Sequence, residues 1–179
     1  AYSHAEGNQT QAEGTYSHTE GQTTIASGIG GHSEGVSTKA LGSASHAENN
    51  QTTASGENSH AEGMKSVASG DVSHAEGIQT TASGLESHAE GNNTKATGQA
   101  SHAEGVTSVA SGKGSHAENE STTAKGEASH AEGYKTEALS DFQHVQGRYN
   151  VADSKGRYAH IVGNGSIDTM IRSNAYTLD

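Results

Sequence analysis

Every fourteenth residue from His4 to His144 is a histidine, eleven in succession without a slip: His4, His18, His32, His46, His60, His74, His88, His102, His116, His130 and His144. A period this strict makes the chain a repeat protein, whose units stack on their neighbours instead of folding around one core. Two residues after each of the first ten histidines stands a glutamate: Glu6, Glu20, Glu34, Glu48, Glu62, Glu76, Glu90, Glu104, Glu118 and Glu132. Whatever the chain does, it does along a ladder of His-x-Glu units.

One repeat, written from Ser73, reads Ser73-His74-Ala75-Glu76-Gly77-Ile78-Gln79 and then Thr80-Thr81-Ala82-Ser83-Gly84-Leu85-Glu86. It divides into two five-residue halves, S-H-A-E-G and [ST]-x-A-x-G, each followed by two variable residues. Both halves read as short strands closed by a glycine corner. Successive side chains of a strand point to opposite faces, so Ser73, Ala75 and Gly77 share one side, and His74 and Glu76 the other. In the second half, Thr80, Ala82 and Gly84 oppose Thr81 and Ser83. The small set faces inward, because a coil of fourteen residues encloses a slot too narrow for larger side chains. The alanines at 12, 26, 40, 54, 68, 82, 96, 110, 124 and 138 agree, since this position never varies.

The two outward sets differ. The second half drifts through Gln11, Ile25, Lys39, Thr53 and Val67 to Glu137, as a solvated face does. The His/Glu face stays constant, which implies a reader that repeats as well, and the simplest such reader is another copy of the chain. A helix is excluded: there is no apolar stripe of period 3.6, and two glycines per repeat would cost about 2 kcal/mol relative to alanine. Strands stacked about 4.8 Å apart give a rod on the order of 50 Å long.

Composition sharpens this reading. Only 29% of the 179 residues are hydrophobic and there is no Cys, Pro or Trp. A chain so poor in apolar surface would remain disordered unless rungs stabilised one another, so one elongated unit is expected. The net charge of −11 would reach +1 with all twelve histidines protonated. Without a basic stripe for phosphates, nucleic acid is excluded as a partner. No apolar run approaches a membrane span or a signal-peptide core, so no membrane insertion is expected. The chain starts at Ala1 rather than Met, in keeping with a piece of something longer.

The fourteen-residue repeat with its small-residue second half resembles the head repeats of the trimeric autotransporter adhesins of YadA type, over roughly residues 1–147. The resemblance implies an all-β fold, a left-handed parallel β-roll solenoid of 14-residue repeats, assembled as a homotrimeric fibre. In that family the first half usually reads S-V-A-I-G and its two aliphatics pack into the trimer interface. Here His and Glu hold those positions, so the implied interface is polar, and the ladder residues named above are its candidate trimer-interface set. The S-H-A-E-G variant is similar to tail-fibre or baseplate-associated proteins of phages and prophages of Gram-positive bacteria. So are the stretches 147–153, 158–165 and 172–179. That similarity implies an extracellular, virion-tail location and attachment to a host cell surface through an unknown receptor. A bacterial trimeric adhesin head at the cell surface is the alternative.

After Glu132 the pattern decays. The second half loses its glycine at Ser140, the next first half is Gln143-His144-Val145-Gln146-Gly147, and a further copy, Ala159 to Gly163, follows after sixteen residues instead of fourteen. Large apolar residues accumulate from Phe142 to Leu178. We read 1–147 as the β-roll and 148–179 as a cap or neck, since the last rung of a solenoid exposes unpaired backbone that an atypical segment must cover. Arg148, Lys155, Arg157 and Arg172 are expected to form local ion pairs.

Three uses of the ladder are open. In the structural one, each His bonds a Glu of a neighbouring chain and the polar pairs fix register. In the metal one, three chains offer imidazoles to Zn²⁺ or Ni²⁺ near the axis, giving a metal-loaded structural solenoid. In the catalytic one the pairs do acid–base work, but an active site needs one pocket with distinct roles, not eleven identical units. The chain is therefore read as a non-enzyme with no required cofactor. Burial lowers a histidine pKa and a nearby carboxylate raises it, so the direction of any pH response stays open here.

Overall fold

The structure, a computed structural model, describes residues 2–179; Ala1, the first residue of the expected roll, lies outside them. Each unit yields two strands, such as His74–Ile78 from the first half and Thr81–Ala82 from the second. The first halves build a thirteen-stranded sheet in chain order and the second halves a ten-stranded one. Pairing is parallel and joins equivalent residues: His74 with His88, Glu76 with Glu90, Ala82 with Ala96. The result is an all-β parallel solenoid of about twelve turns, with no helix among the described residues.

Backbone hydrogen bonds run in both directions along the rod. Strand amides donate to the following rung: His60 to the Ser73 carbonyl at 2.9 Å, Glu62 to Ala75 at 2.9 Å, Val67 to Thr80 at 2.9 Å. Corner amides donate to the preceding rung, Lys65 to Asn50 at 2.9 Å and Val72 to Glu57 at 2.7 Å. These corner residues are left-handed, with φ of 60° at Lys65 and 57° at Val72. A side chain in that region costs roughly 1–2 kcal/mol, which the backward bond helps to offset.

The corners thus correct the expectation of a glycine at each bend. Gly77 is left-handed at φ 104°, but so is Gln79 at 56°, and in the second half the bend falls on Glu86, not on Gly84. Gly84 is required for a different reason. A Cβ there would stand 2.0 Å from the carbonyl oxygen of Gly98, so only glycine lets successive rungs approach. Where Asn49 and Asn119 replace the first-half glycine they keep the left-handed turn, at φ 75° and 74°. Their Oδ1 atoms accept from the amides of Gly63 and Gly133 at 3.0 Å. Asparagine tolerates this region better than most side chains do, and its short amide can bond locally.

The inward set is as the alternation requires. Ala75 and Ala82 and their equivalents from Ala26 onward are fully buried, as are Thr80, Thr94 and Ser108. Several of the hydroxyls bond backbone, Ser73 Oγ donating to the Gly70 carbonyl at 2.6 Å and Thr94 Oγ1 to the Glu90 carbonyl at 2.9 Å, whereas that of Thr80 has no protein partner. A buried methyl contributes only about 0.8 kcal/mol, so two alanines per turn make a thin core. The hydrogen-bonded stack carries the rest.

The last turns change strategy. His144–Arg148 is followed by His160–Asn164, still parallel and matching His144 with His160, and then by Asn174–Leu178, which runs antiparallel and ends the sheet. The ten-stranded sheet stops at Glu137–Ala138, and a side-chain amide stands in for the strand that does not follow. Asn150 Oδ1 accepts from the Glu137 amide at 2.8 Å while its Nδ2 donates to the Glu137 carbonyl at 3.0 Å. Gln143, buried where earlier rungs place serine, accepts from the Leu139 amide at 3.0 Å and donates to the Tyr158 carbonyl at 3.0 Å. Buried Asp153 gathers the amides of Lys155, Arg157 and Tyr158 and the Arg157 guanidinium. Burial alone would raise its pKa, but these donors outweigh it and hold the carboxyl below its ordinary value.

Two substitutions test this account. Gly84→Ala should lower the melting temperature the more, costing about 3 kcal/mol or more as severe overpacking against backbone does, while Gly114→Ala, in open space at a left-handed position where Ala100 and Ala128 already stand, should cost only the roughly 1–2 kcal/mol of a side chain in that region. Asn150→Leu should destabilise the chain by about 1–3 kcal/mol, because it orphans a buried amide and carbonyl. Denaturant midpoints for the three variants measure both effects, and equal midpoints for the two glycine variants would refute the close-approach argument.

Candidate functional site

All twelve histidines lie in one column on the outer face of the thirteen-stranded sheet. From His32 to His144 neighbouring ring centroids are 4.7–4.9 Å apart with planes within 7° of parallel. The spacing is that of the strands themselves, so in-register pairing sets it. The column runs on to His160 at 5.0 Å, where Tyr176 of the antiparallel strand closes it edge-on at 6.0 Å. At the other end His4 tilts by 54° from His18 and instead meets Glu6 of its own rung at 3.3 Å.

Beside the rings runs the glutamate column. From His46 to His144 each Nε2 faces the carboxylate of the preceding rung, at 2.9 Å for His130–Glu118, 3.0 Å for His60–Glu48 and 3.1 Å for His116–Glu104. Within one chain, each of these histidines already faces a carboxylate twelve residues away. The physical reason is the register. Stacking brings the next rung's imidazole within reach of the glutamate that points outward beside it. Spacing along the sequence, where His and Glu stand only two residues apart, gave no sign of this.

Both columns are half-buried, and the environment resolves the pH question at two positions. Burial is the largest effect lowering the pKa of His46, followed by the imidazoles of His60 and His32; Glu48 and Glu34 oppose more weakly. His88 is lowered in the same way, by burial and then by His102 and His74. The carboxylates also interact: Glu90 is raised, first by its contact with Glu76, which is lowered correspondingly.

Two further features were not legible from the repeat. The residue four places after each histidine completes the outer strand, and this third column places Val36, Met64, Ile78 and Val106 partly exposed beside the Glu/Gly track. Period-2 alternation would have reached it had the strand been extended past the glycine. An open trough follows Glu62, Gly63, Glu76, Gly77, Glu90 and Gly91. Of the basic residues, Arg157 pairs with Asp153 at 3.3 Å, and Arg172 pairs with Glu137 while also donating to the Asn150 carbonyl at 3.0 Å, so both serve the cap.

Comparison with known families finds a match for the repeat itself. The sequence matches the YadA head domain repeat (2 copies) over residues 47–73, 75–101 and 103–126. The middle of the rod, between residues 47 and 126, is thus similar to YadA-type head repeats. YadA-type heads form homotrimers, bind surfaces and belong to a structural, non-enzymatic family of extracellular surface proteins. No curated protein matches the chain. No helix among the described residues is long and apolar enough to cross a membrane.

The lowered histidine pKa values fix the sign of a pH effect. A histidine whose folded pKa lies below its unfolded value near 6.5 favours the neutral form in the fold, so its stabilisation is present above that value and is lost as pH falls through it. Melting temperature should therefore drop from pH 7.5 to pH 5.5. A calorimetric melting point that stays flat or rises over this range contradicts the assignment.

Proposed function

We propose that this chain is a length of homotrimeric, left-handed β-roll fibre from a phage or prophage tail appendage, a rigid spacer that contributes to attachment at a host surface. The observation that carries the proposal is the outer face of the thirteen-stranded sheet. His, Glu and a partly apolar third column repeat along it while the outer face of the second sheet drifts. A His/Glu face held constant over ten rungs suits a partner with the same repeat, and YadA-type heads form homotrimers. The phage context rests on the S-H-A-E-G variant and the segment after residue 147.

In this reading the His/Glu pairs keep the unassembled face soluble and set register, since a slipped chain would leave charges unmatched. The rod itself transmits position and does no chemistry. A bacterial surface adhesin head is the second reading, favoured by the family match because YadA-type adhesins are extracellular surface proteins.

Light scattering at neutral pH tests the assembly: the expected mass is three times 18.2 kDa. A stable monomer overturns the trimer and turns the His/Glu face into a ligand surface. Peptide mapping of purified particles and of cell-surface fractions separates the two contexts. Peptides found only at the bacterial surface would replace the phage assignment with the adhesin.

A further inference from the structure

Two places in the ladder differ from the rest in how their atoms are satisfied, His32–Glu34–His46 and His74–Glu76–His88, and the first has the closer pair of rings and the shorter His–Glu separation. His32 and His46 stack at 4.7 Å with planes 3° apart, and the Nε2 atom of each is buried without a hydrogen-bond partner. Glu34 lies beside them, its Oε1 3.5 Å from His46 Nε2. One donor atom from each of the three residues falls within 4.8 Å of the other two. A buried nitrogen normally has a partner, and two orphaned ones facing the same carboxylate need an explanation.

We propose that His32, Glu34 and His46 bind a divalent transition-metal ion of the Zn²⁺ class within a single chain. The separation of His46 from Glu34 argues for it. At 3.5 Å it is too long for a charge-assisted hydrogen bond, which falls at about 2.7–2.9 Å. It equals the edge of a tetrahedron with bonds of about 2.1 Å, roughly 3.4 Å, the bond length of Zn²⁺ to imidazole nitrogen and carboxylate oxygen. Two nitrogens and one oxygen leave a fourth position for water. To converge on one ion the two stacked rings must tilt toward each other by roughly 1 Å, and half-exposure of the side chains leaves room for it.

The contrast with other rungs is built into the ladder. His130 and Glu118 lie at 2.9 Å in a direct hydrogen bond, so an ion there must first break a formed interaction. The site uses two consecutive rungs of one chain, unlike an axial triad of three chains, and it stands whether or not the fibre is trimeric.

The experiment is calorimetric titration of the EDTA-treated, dialysed full chain with Zn²⁺, repeated with Co²⁺ to read coordination from its visible absorption. The expected result is tight binding of no more than two ions per chain, one of them at His32–Glu34–His46, with the absorption of four-coordinate Co²⁺. Glu34→Gln should weaken that site roughly tenfold or more, on the scale of losses from perturbing a metal's coordination shell, while Glu118→Gln leaves it unchanged. Both replacements are on the outer face, and circular dichroism verifies the fold. Binding of one ion per three chains would assign the metal to a trimer axis and overturn the proposal. So would weak binding that ignores Glu34→Gln, the signature of scattered imidazoles. Light scattering of the same samples reports the assembly separately, so loss of the metal site and loss of the trimer are distinguishable.

Discussion

The structure depends on parallel pairing in strict register, with each rung set on an identical one. This single constraint satisfies the backbone of a chain that has almost no core, because strand amides bond forward and corner amides bond backward. It also dictates the side-chain columns. Ala stacks on Ala, Gly on Gly, His on His and Glu on Glu, and a residue is tolerated only if it can lie about 4.8 Å from a copy of itself. Inside, that demand selects methyl and hydroxyl groups. At Gly84 and its equivalents it forbids even a Cβ.

The ladder shows how such a constraint handles charge. Carboxylates repeated at strand spacing repel one another, and so do imidazolium rings. Interleaving the two relieves both, because the imidazole of one rung sits against the glutamate of the rung before it. The relief is uneven: burial and neighbouring imidazoles keep His46 and His88 below the ordinary histidine value, and Glu76 and Glu90 are pushed in opposite directions. His46 and His88 thus favour the neutral ring beside the column of carboxylates. The face suits a repeating polar partner better than a single ligand in a pocket.

A solenoid must also end. Here one sheet ends by adding strands, the second of them antiparallel, and the other by borrowing side chains. Asn150, Gln143 and Asp153 present amide and carboxylate groups where a further rung would have presented backbone. The switch from serine to Gln143 at an inward position goes with this change, because the longer amide reaches the Leu139 amide and the Tyr158 carbonyl.

The sequence by itself determined the repeat length, the strand pair per unit, the inward small residues and the polar outer ladder, because all of these follow from period-2 alternation and the volume of a narrow coil. It also exposed the place where the repeat fails. Only the tertiary structure decided which glutamate each histidine meets, since that depends on the stacking of rungs fourteen residues apart. It likewise decided that the bends fall on variable residues such as Gln79 and Glu86, and that glycine serves close approach at Gly84. Local composition carries no record of a neighbour that arrives one turn later. The pairing of rungs creates that neighbour, and with it the satisfied hydrogen bonds at His130 and the orphaned nitrogens at His32 and His46.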